Sequence, residues 1–513
     1  MGLFSGALYL RIYSLDKFGF WSDELYHVIS AKSIIDNGHP SFPSGFEYKR
    51  ALAFTYLVSL SFRLFGINEF AARIPSVLFN ILFLVAGFII VKRWFNVRTA
   101  IMFFVVMGFS PYIILLSRQS RMYTAFQLFY FLGVYLFWIG FENINKFINR
   151  KYYLNLEKKY DINIFYLALS ALTLLLSFHF HQFTIIFIPI FLIYITVLFA
   201  LDPNLNTIQK KFSSKYGIIL MGSVFGLLIS LFIKPDLFSI FFKKATGLPA
   251  WKAGTPIDHK LFLWVLRVES PMFFFFYPLS AIYIINKDFK KGIYIVSNFV
   301  VPLILHSFIF AYKEERFMIY FFPFYIISVV ILIEDVIRFA ILNIKNMKIN
   351  IKIIDKMIPV CLYFSFLIFL YPWFFNSRHT PKLNFWIDFK PALSNISALM
   401  KPTDHIITLL DDQSFIFFYL KKDPDYYIAP IQYDKSDDAE YKYFNSSPIQ
   451  NQTDIEKIVH NDNEIWFIAR KDEYLNKNRY FRKDMMDYIK ENFSEVKITG
   501  DSDILVFKKN RKR

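Results

Sequence analysis

The chain has one cysteine, Cys361, and it lies inside an apolar run. A lone thiol can build neither a disulfide framework nor a cysteine-based zinc site within one chain, so cysteine usage does not reveal the redox compartment. No glycine-rich dinucleotide fingerprint, Walker phosphate loop or internal repeat is present, so nothing supports nucleotide handling. The N-terminus has no basic n-region and no small-residue cleavage site. Its apolar stretch before Arg11 falls short of the roughly 20 residues a span needs. Either Ile12 and Tyr13 complete the first helix or the natural chain begins earlier.

What is abundant is apolar. Of 513 residues 55% are hydrophobic and 20% aromatic, the mean hydropathy is +0.36, and apolar runs recur almost to residue 375. This is the profile of a polytopic α-helical membrane protein. The net charge of +17 sits mostly between those runs and in the C-terminal part. It therefore reads as a topology signal and not as a nucleic-acid footprint.

Spans are expected at 75–91, 100–116, 122–141, 164–180, 183–201, 216–233, 271–285, 293–311, 317–333 and 358–375, about eleven with the first helix. The linkers 92–98, 142–163, 202–215, 286–292 and 334–357 are basic and alternate with the others, which makes them cytoplasmic. Linkers 117–121, 179–181, 234–260 and 312–316 then face outside, as does everything after residue 376. One segment sets the parity: 51–66 has sixteen residues and carries Arg63, and is expected to lie in the interface. The loop 16–74 is then exterior; were 51–66 to cross, it would be cytoplasmic.

Two domains follow: a membrane unit over 1–375 and a soluble extracytoplasmic α/β domain over 376–513. In the latter "DHIITLLDD", "EIWFIAR" and "DILVFKK" read as strands and "YFRKDMMDYIKENF" as an amphipathic helix. Asn395, Asn445, Asn451 and Asn492 match the glycosylation acceptor pattern, in keeping with an outside location.

The chemistry-bearing stretches lie outside. "GFWSDELYH" sets Asp23 beside Glu24. With Ser22 as N-cap, helix-dipole complementation is one explanation of the acid pair. But Leu25 holds the reciprocal capping position, so both carboxylates should stay available. They could accept a proton or bind a divalent cation. Being about 100° apart on a helix, they should differ in role, and Asp23 is the expected base. "FEYKRA" places Glu47, Lys49 and Arg50 where they could anchor lipid headgroups or meet a phosphate. In "SRQSRMY", Arg118 and Arg121 run against the positive-inside trend, with Tyr123 opening the next span; an aromatic belt with a snorkelling arginine would explain this, but cations kept on the outer side favour an anionic ligand. "YKEERF" repeats the oddity with Arg316, although Lys313 and Glu314 could simply form a solvated turn. His179 and His181 have no metal-ligand spacing and are expected to pack.

In order, "LRIYSLDKFGFWSDELYHVISA", "LFGINEFAARIPS" and "FSPYIILLSRQSRMYTAFQL" resemble the GT-C glycosyltransferases that use polyprenyl-phosphate sugars. That group includes protein O-mannosyltransferases and the aminoarabinose transferases of lipid A. The likeness is close from Leu10 to Leu132, returns at "ERFMIYFFP", and is architectural beyond 376. It implies a multi-pass plasma-membrane enzyme whose active site and C-terminal domain are extracytoplasmic. It also implies an acid-pair catalytic site at Asp23 and Glu24, and phosphate contacts from the residues matching Lys49, Arg121 and Arg316. The reaction implied is an inverting hexosyl or pentosyl transfer onto a hydroxyl of a lipid, glycan or protein. The first helix is shorter than in the family, and "FEYKRA" has no proline where relatives carry one. A lipid or solute transporter, a flippase, and a lipid-linked oligosaccharide ligase are the rival readings. Paired repeats and interrupted polar helices, the marks of transporters, are not evident in the sequence.

Overall fold

The computed structural model describes residues 2–142, 155–233, 258–346, 388–429, 443–460, 464–471, 483–497 and 504–509. The chain opens with α1 (Gly2–Ile12), about 17 Å long at 1.5 Å per residue. Its Arg11 is fully buried. The guanidinium donates to Asn80 Oδ1 at 2.6 Å and to the carbonyls of Ala7 and Gly108 at 2.7 and 2.8 Å. An arginine is tolerated there because its donors are satisfied from inside the bundle.

Helices α2 (Ser22–Asn37) and α3 (Leu52–Phe65) belong to the first connecting segment. The bundle continues with α4 (Glu69–Trp94), α5 (Val97–Phe109), α6 (Pro111–Ser117) and α7 (Tyr123–Phe141). The span expected over 100–116 is not one rod. It bends by 61° between α5 and α6, at Ser110–Pro111. A residue before proline leaves the helical region, and Ser110 does so at φ −60°, ψ 120° while its hydroxyl caps α6. Helix α7 lies tightly along Ile164–Phe180, where a Cβ on Gly140 would stand 2.8 Å from the Leu167 nitrogen. Small residues permit such backbone approach in membranes.

Among the described residues four helices are long and apolar enough to cross a membrane, six if each bent pair is one span. The expected span 358–375 and the boundary at 375–376 lie outside the described residues. At 14 residues, α3 measures about 21 Å, short of the hydrocarbon thickness of about 30 Å.

Beyond residue 388 a six-stranded sheet forms in the order β3-β2-β1-β4-β6-β5. Its strands are β1 (His405–Leu409), β2 (Tyr426–Ile428), β3 (Ser447–Ile449), β4 (Ile465–Arg470), β5 (Ser494–Glu495) and β6 (Ile504–Lys509). The first four pair in parallel, and β6 runs antiparallel to β4 and β5. Strand β4 reads "IWFIAR" because it is central and its first five residues are all buried, which demands a continuous apolar run. Helices cover both faces of the sheet: Phe389–Leu399 and Gln413–Leu420 share a core with Ile406, Trp466 and Ile468, while Gln452–His460 and Lys483–Asn492 pack with Ile407, Leu409 and Phe467.

Candidate active site

Helix α2 begins one residue earlier than its sequence suggests, with Trp21 in an extended conformation as N-cap. That puts Glu24 at the third helical position, where its Oε2 accepts from the Trp21 amide at 3.0 Å while Glu24 N donates to Trp21 O at 2.9 Å. The expectation that neither acid closes a capping arrangement therefore fails for Glu24. Nor is its carboxylate available. It is fully buried and receives Arg73 Nε and Nη2 at 3.0 and 2.9 Å and the Ser120 amide at 2.6 Å. Arg73 also donates to the carbonyls of Leu15, Phe18 and Gly19 at 2.8, 2.9 and 2.8 Å. Glu24 and Arg73 thus tie the approach to α2 against α4. No role for Arg73 follows from the sequence, although its motif, "LFGINEFAARIPS", stands out there.

Asp23 turns the other way. Its side chain keeps 22% of its surface exposed, and Oδ2 lies 2.6 Å from Arg316 Nη1 and 3.5 Å from Arg121 Nη2. Arg121 Nη1 also donates to the Asp23 carbonyl at 2.5 Å. Burial alone would push the carboxyl up, but Arg316 and Arg121 together outweigh it and hold Asp23 below the usual carboxylate range. Both cations are well held. Arg316 lies 5.0 Å from the Trp21 ring and 5.7 Å from that of Tyr123, and donates to the Tyr312 hydroxyl at 3.2 Å. Arg121 lies 5.5 Å from the Tyr123 ring. Yet Nε of each guanidinium is buried without a hydrogen-bond partner among the described residues. Two oriented cationic donors therefore remain unmet beside one carboxylate.

The other expected ligands separate. Arg50 is near enough to Asp23 for its charge to lower that carboxyl further. Lys49 is 78% exposed and pairs with Glu47 at 3.3 Å, so the structure does not bring it to the two arginines. Arg118 is elsewhere: it donates to the carbonyls of Leu10, Arg11, Tyr13 and Ser14 at 2.8 to 3.3 Å. Its cation closes the C-terminal end of α1, in place of the anionic ligand expected there. His179 Nε2 accepts from the Ala53 amide at 3.2 Å. His181 packs among Tyr123, Phe126, Phe183 and Phe317 at 4.7 to 5.8 Å.

The C-terminal unit reaches this site. Gly19 N donates to Asp388 Oδ1 at 3.1 Å and Phe20 N to the Tyr419 hydroxyl at 2.7 Å. Lys390 pairs with Glu69 at 3.0 Å. Asn445 donates to the Pro43 carbonyl at 3.4 Å. The segments before and after α3 thus both meet this unit.

No protein-family model and no curated protein sequence matches the chain. Solved structures do. ArnT from Cupriavidus metallidurans in the apo state superposes with a TM-score of 0.61 at 12% identity, over 99% of this chain and 97% of that one. Its undecaprenyl phosphate complex gives 0.58 over the same shares, again at 12% identity. The archaeal oligosaccharyltransferase AglB from Archaeoglobus fulgidus, in complex with an inhibitory peptide and a dolichol-phosphate, gives 0.61 at 12% identity, over 92% and 69%. The fold is GT-C.

An AglB structure holds zinc and sulfate, and the fit of a divalent cation to the site described above can be tested on its donors. Asp23 faces two guanidiniums and Glu24 is enclosed by Arg73. No group of three or more His, Cys, Asp or Glu side chains among the described residues is placed to hold a metal. A dication at Asp23 would have to compete with the two guanidiniums already paired with that one carboxylate, and would be repelled by both. The donor set here does not fit a divalent cation.

Proposed function

We propose that the chain is an integral membrane glycosyltransferase that moves a sugar from a polyprenyl-phosphate donor to an acceptor hydroxyl, with inversion. Its site, together with the unit from 376 onward, faces the extracytoplasmic side of the plasma membrane, where the alternation of basic linkers puts it. The observation that carries this reading is the pair Arg121 and Arg316, each anchored on Asp23 and each with a buried, unmet Nε–H. A donor phosphate supplies the acceptors those N–H groups lack, as undecaprenyl phosphate and dolichol-phosphate are held by ArnT and AglB.

The resting ion pairs give the order of events. Asp23, held below its usual range by two cations, is a poor base. When the donor phosphate draws Arg121 and Arg316 toward itself, their pull on Asp23 weakens and its basicity rises. The acceptor oxygen then forms a bond to C1 as the C1–oxygen bond to phosphate breaks. The electron pair leaves on the lipid phosphate, where the arginines stabilise the developing charge, and the acceptor proton passes to Asp23.

The test is label transfer from radioactive polyprenyl-phosphate sugars by purified protein in vesicles, with release of polyprenyl phosphate measured alongside. Asp23→Asn should lower transfer about 10²-fold to 10⁴-fold. Movement of intact donor between leaflets without release of polyprenyl phosphate would instead identify a flippase.

A further inference from the structure

A space opens near α2, the helix that carries Asp23, and is built by other residues. It encloses about 610 Å³ between residues 45–50 of the first connecting segment and Tyr443 of the C-terminal unit, within the roughly 300–1,000 Å³ of small-molecule sites. Its near wall is rigid. Phe42 N donates to Phe46 O and Gly45 N to Phe42 O, both at 2.9 Å, and Tyr48 N to Pro40 O at 3.0 Å. Gly45, at φ +84°, takes the left-handed position the turn requires. The far wall is docked by face-to-face stacking of Tyr443 on Phe42, with centroids 3.9 Å apart and planes 8° from parallel, and by a bond from Ser44 N to Tyr443 O at 3.3 Å.

Phe46 and Tyr443 stand 5.5 Å apart as an angled aromatic pair. Glu47 and Lys49, both well exposed and 3.3 Å from each other, provide an acceptor and a donor at the same opening. Buried Tyr48 belongs to its lining, and the Tyr48 ring lies 5.2 Å from that of His27, about one turn along α2 from Asp23. We infer that this cleft binds the acceptor and that the acceptor is a carbohydrate, an inference that rests on the transfer reading above. A sugar ring offers an apolar face to an aromatic ring and neighbouring hydroxyls that both accept and donate across a Glu–Lys pair. An extended peptide would need unpaired backbone groups along the wall. Of the residues that line the cleft, Gly45, Phe46 and Tyr48 already donate their amides within the segment. The division of labour also suits inversion. The arginines that await phosphate come from residues 121 and 316 while the cleft comes from residues 45–50 and Tyr443, so acceptor and leaving group have separate walls.

The experiment is saturation-transfer NMR on the full chain in lipid nanodiscs. The probes are methyl α-mannoside, methyl β-glucoside, methyl β-galactoside and methyl β-arabinoside, with an acetylated Ala-Ser-Thr-Ala amide as the peptide arm. At least one glycoside should receive saturation. Its binding should weaken about threefold to tenfold in Phe46→Ala and also fall in Glu47→Gln, both at exposed or half-exposed positions. Arg316→Ala should retain it while losing affinity for polyprenyl phosphate. Absence of glycoside binding in a sample that transfers sugar, glycoside binding indifferent to Phe46 and Glu47, or peptide binding sensitive to them, each overturns the cleft assignment alone. Glycoside binding without any transfer from polyprenyl-phosphate sugars overturns the enzymatic reading and with it the acceptor role.

Discussion

Arg316 Nη1 lies 2.6 Å from Asp23 Oδ2, across 293 positions of sequence. The same guanidinium is the proposed partner of the donor phosphate, so carboxylate and phosphate compete for it. Asp23→Asn should therefore lower transfer and yet tighten binding of polyprenyl phosphate, whereas Arg316→Ala should weaken it. One charge-assisted contact is worth about 1.5–3 kcal/mol, or roughly 10-fold to 150-fold. Titration of each variant with polyprenyl phosphate reads this directly, and weaker binding in Asp23→Asn would count against the competition.

Glu24 should behave as a structural residue. Glu24→Gln leaves Arg73 buried beside a neutral amide, a loss of about 3–5 kcal/mol, visible as a lowered Tm in detergent. Removing both charges in Glu24→Gln/Arg73→Met should recover part of that stability. Wild-type Tm in the single variant, with transfer lost, would return Glu24 to the chemistry.

Gly19 marks where the site loop touches the C-terminal unit. A Cβ there would stand 2.4 Å from Asp388 Oδ1 and 2.9 Å from the Tyr419 hydroxyl. Gly19→Ala should undock the two parts, exposing residues beyond 388 to limited proteolysis and lowering transfer. Asp388→Ser, which keeps a helix cap but shortens the side chain, should partly suppress it. Equal protease resistance in Gly19→Ala and wild type would show that the contact is dispensable.

Acid should weaken the packing around His181. Burial, then Arg121 and Arg316, push its pKa down to about 3, against about 6.5 in an unfolded chain. Between those values the unfolded state binds a proton that the folded state refuses, so stability is complete above pH 6.5 and falls as pH drops toward 3. One such group contributes a slope of up to about 1.4 kcal/mol per pH unit. Tm measured from pH 7.5 to 4.5 should fall less steeply in His181→Asn, which keeps an acceptor for the Phe183 amide now bonded at 3.2 Å. Parallel curves would refute the assignment.

Much of the fold was legible because apolar runs and three of the strands are long, local signals: β1, β4 and β6 fall inside the stretches "DHIITLLDD", "EIWFIAR" and "DILVFKK". Strands β2 and β3 have three residues each, too few for a period-2 pattern. In the site, adjacency in sequence misled. Asp23 and Glu24 look like a pair, but 100° of helix rotation aims one at Arg316 and the other at Arg73. Arg118 and Arg121 look equivalent on one turn, yet only Arg121 reaches Asp23, while Arg118 meets the exposed carbonyls that end α1. Such choices depend on partners far away in sequence, which no local pattern encodes.

The contact of Gly19 with Asp388 joins residues 369 positions apart. At about 5–20 residues per second, the second is synthesised roughly 20 to 70 seconds after the first. Until then the loop bearing Asp23 lacks the surface it docks on. The nascent chain is in this sense its own safety catch: it can occupy the membrane early, and gains a finished site only once its last segment has been made and folded back onto its first.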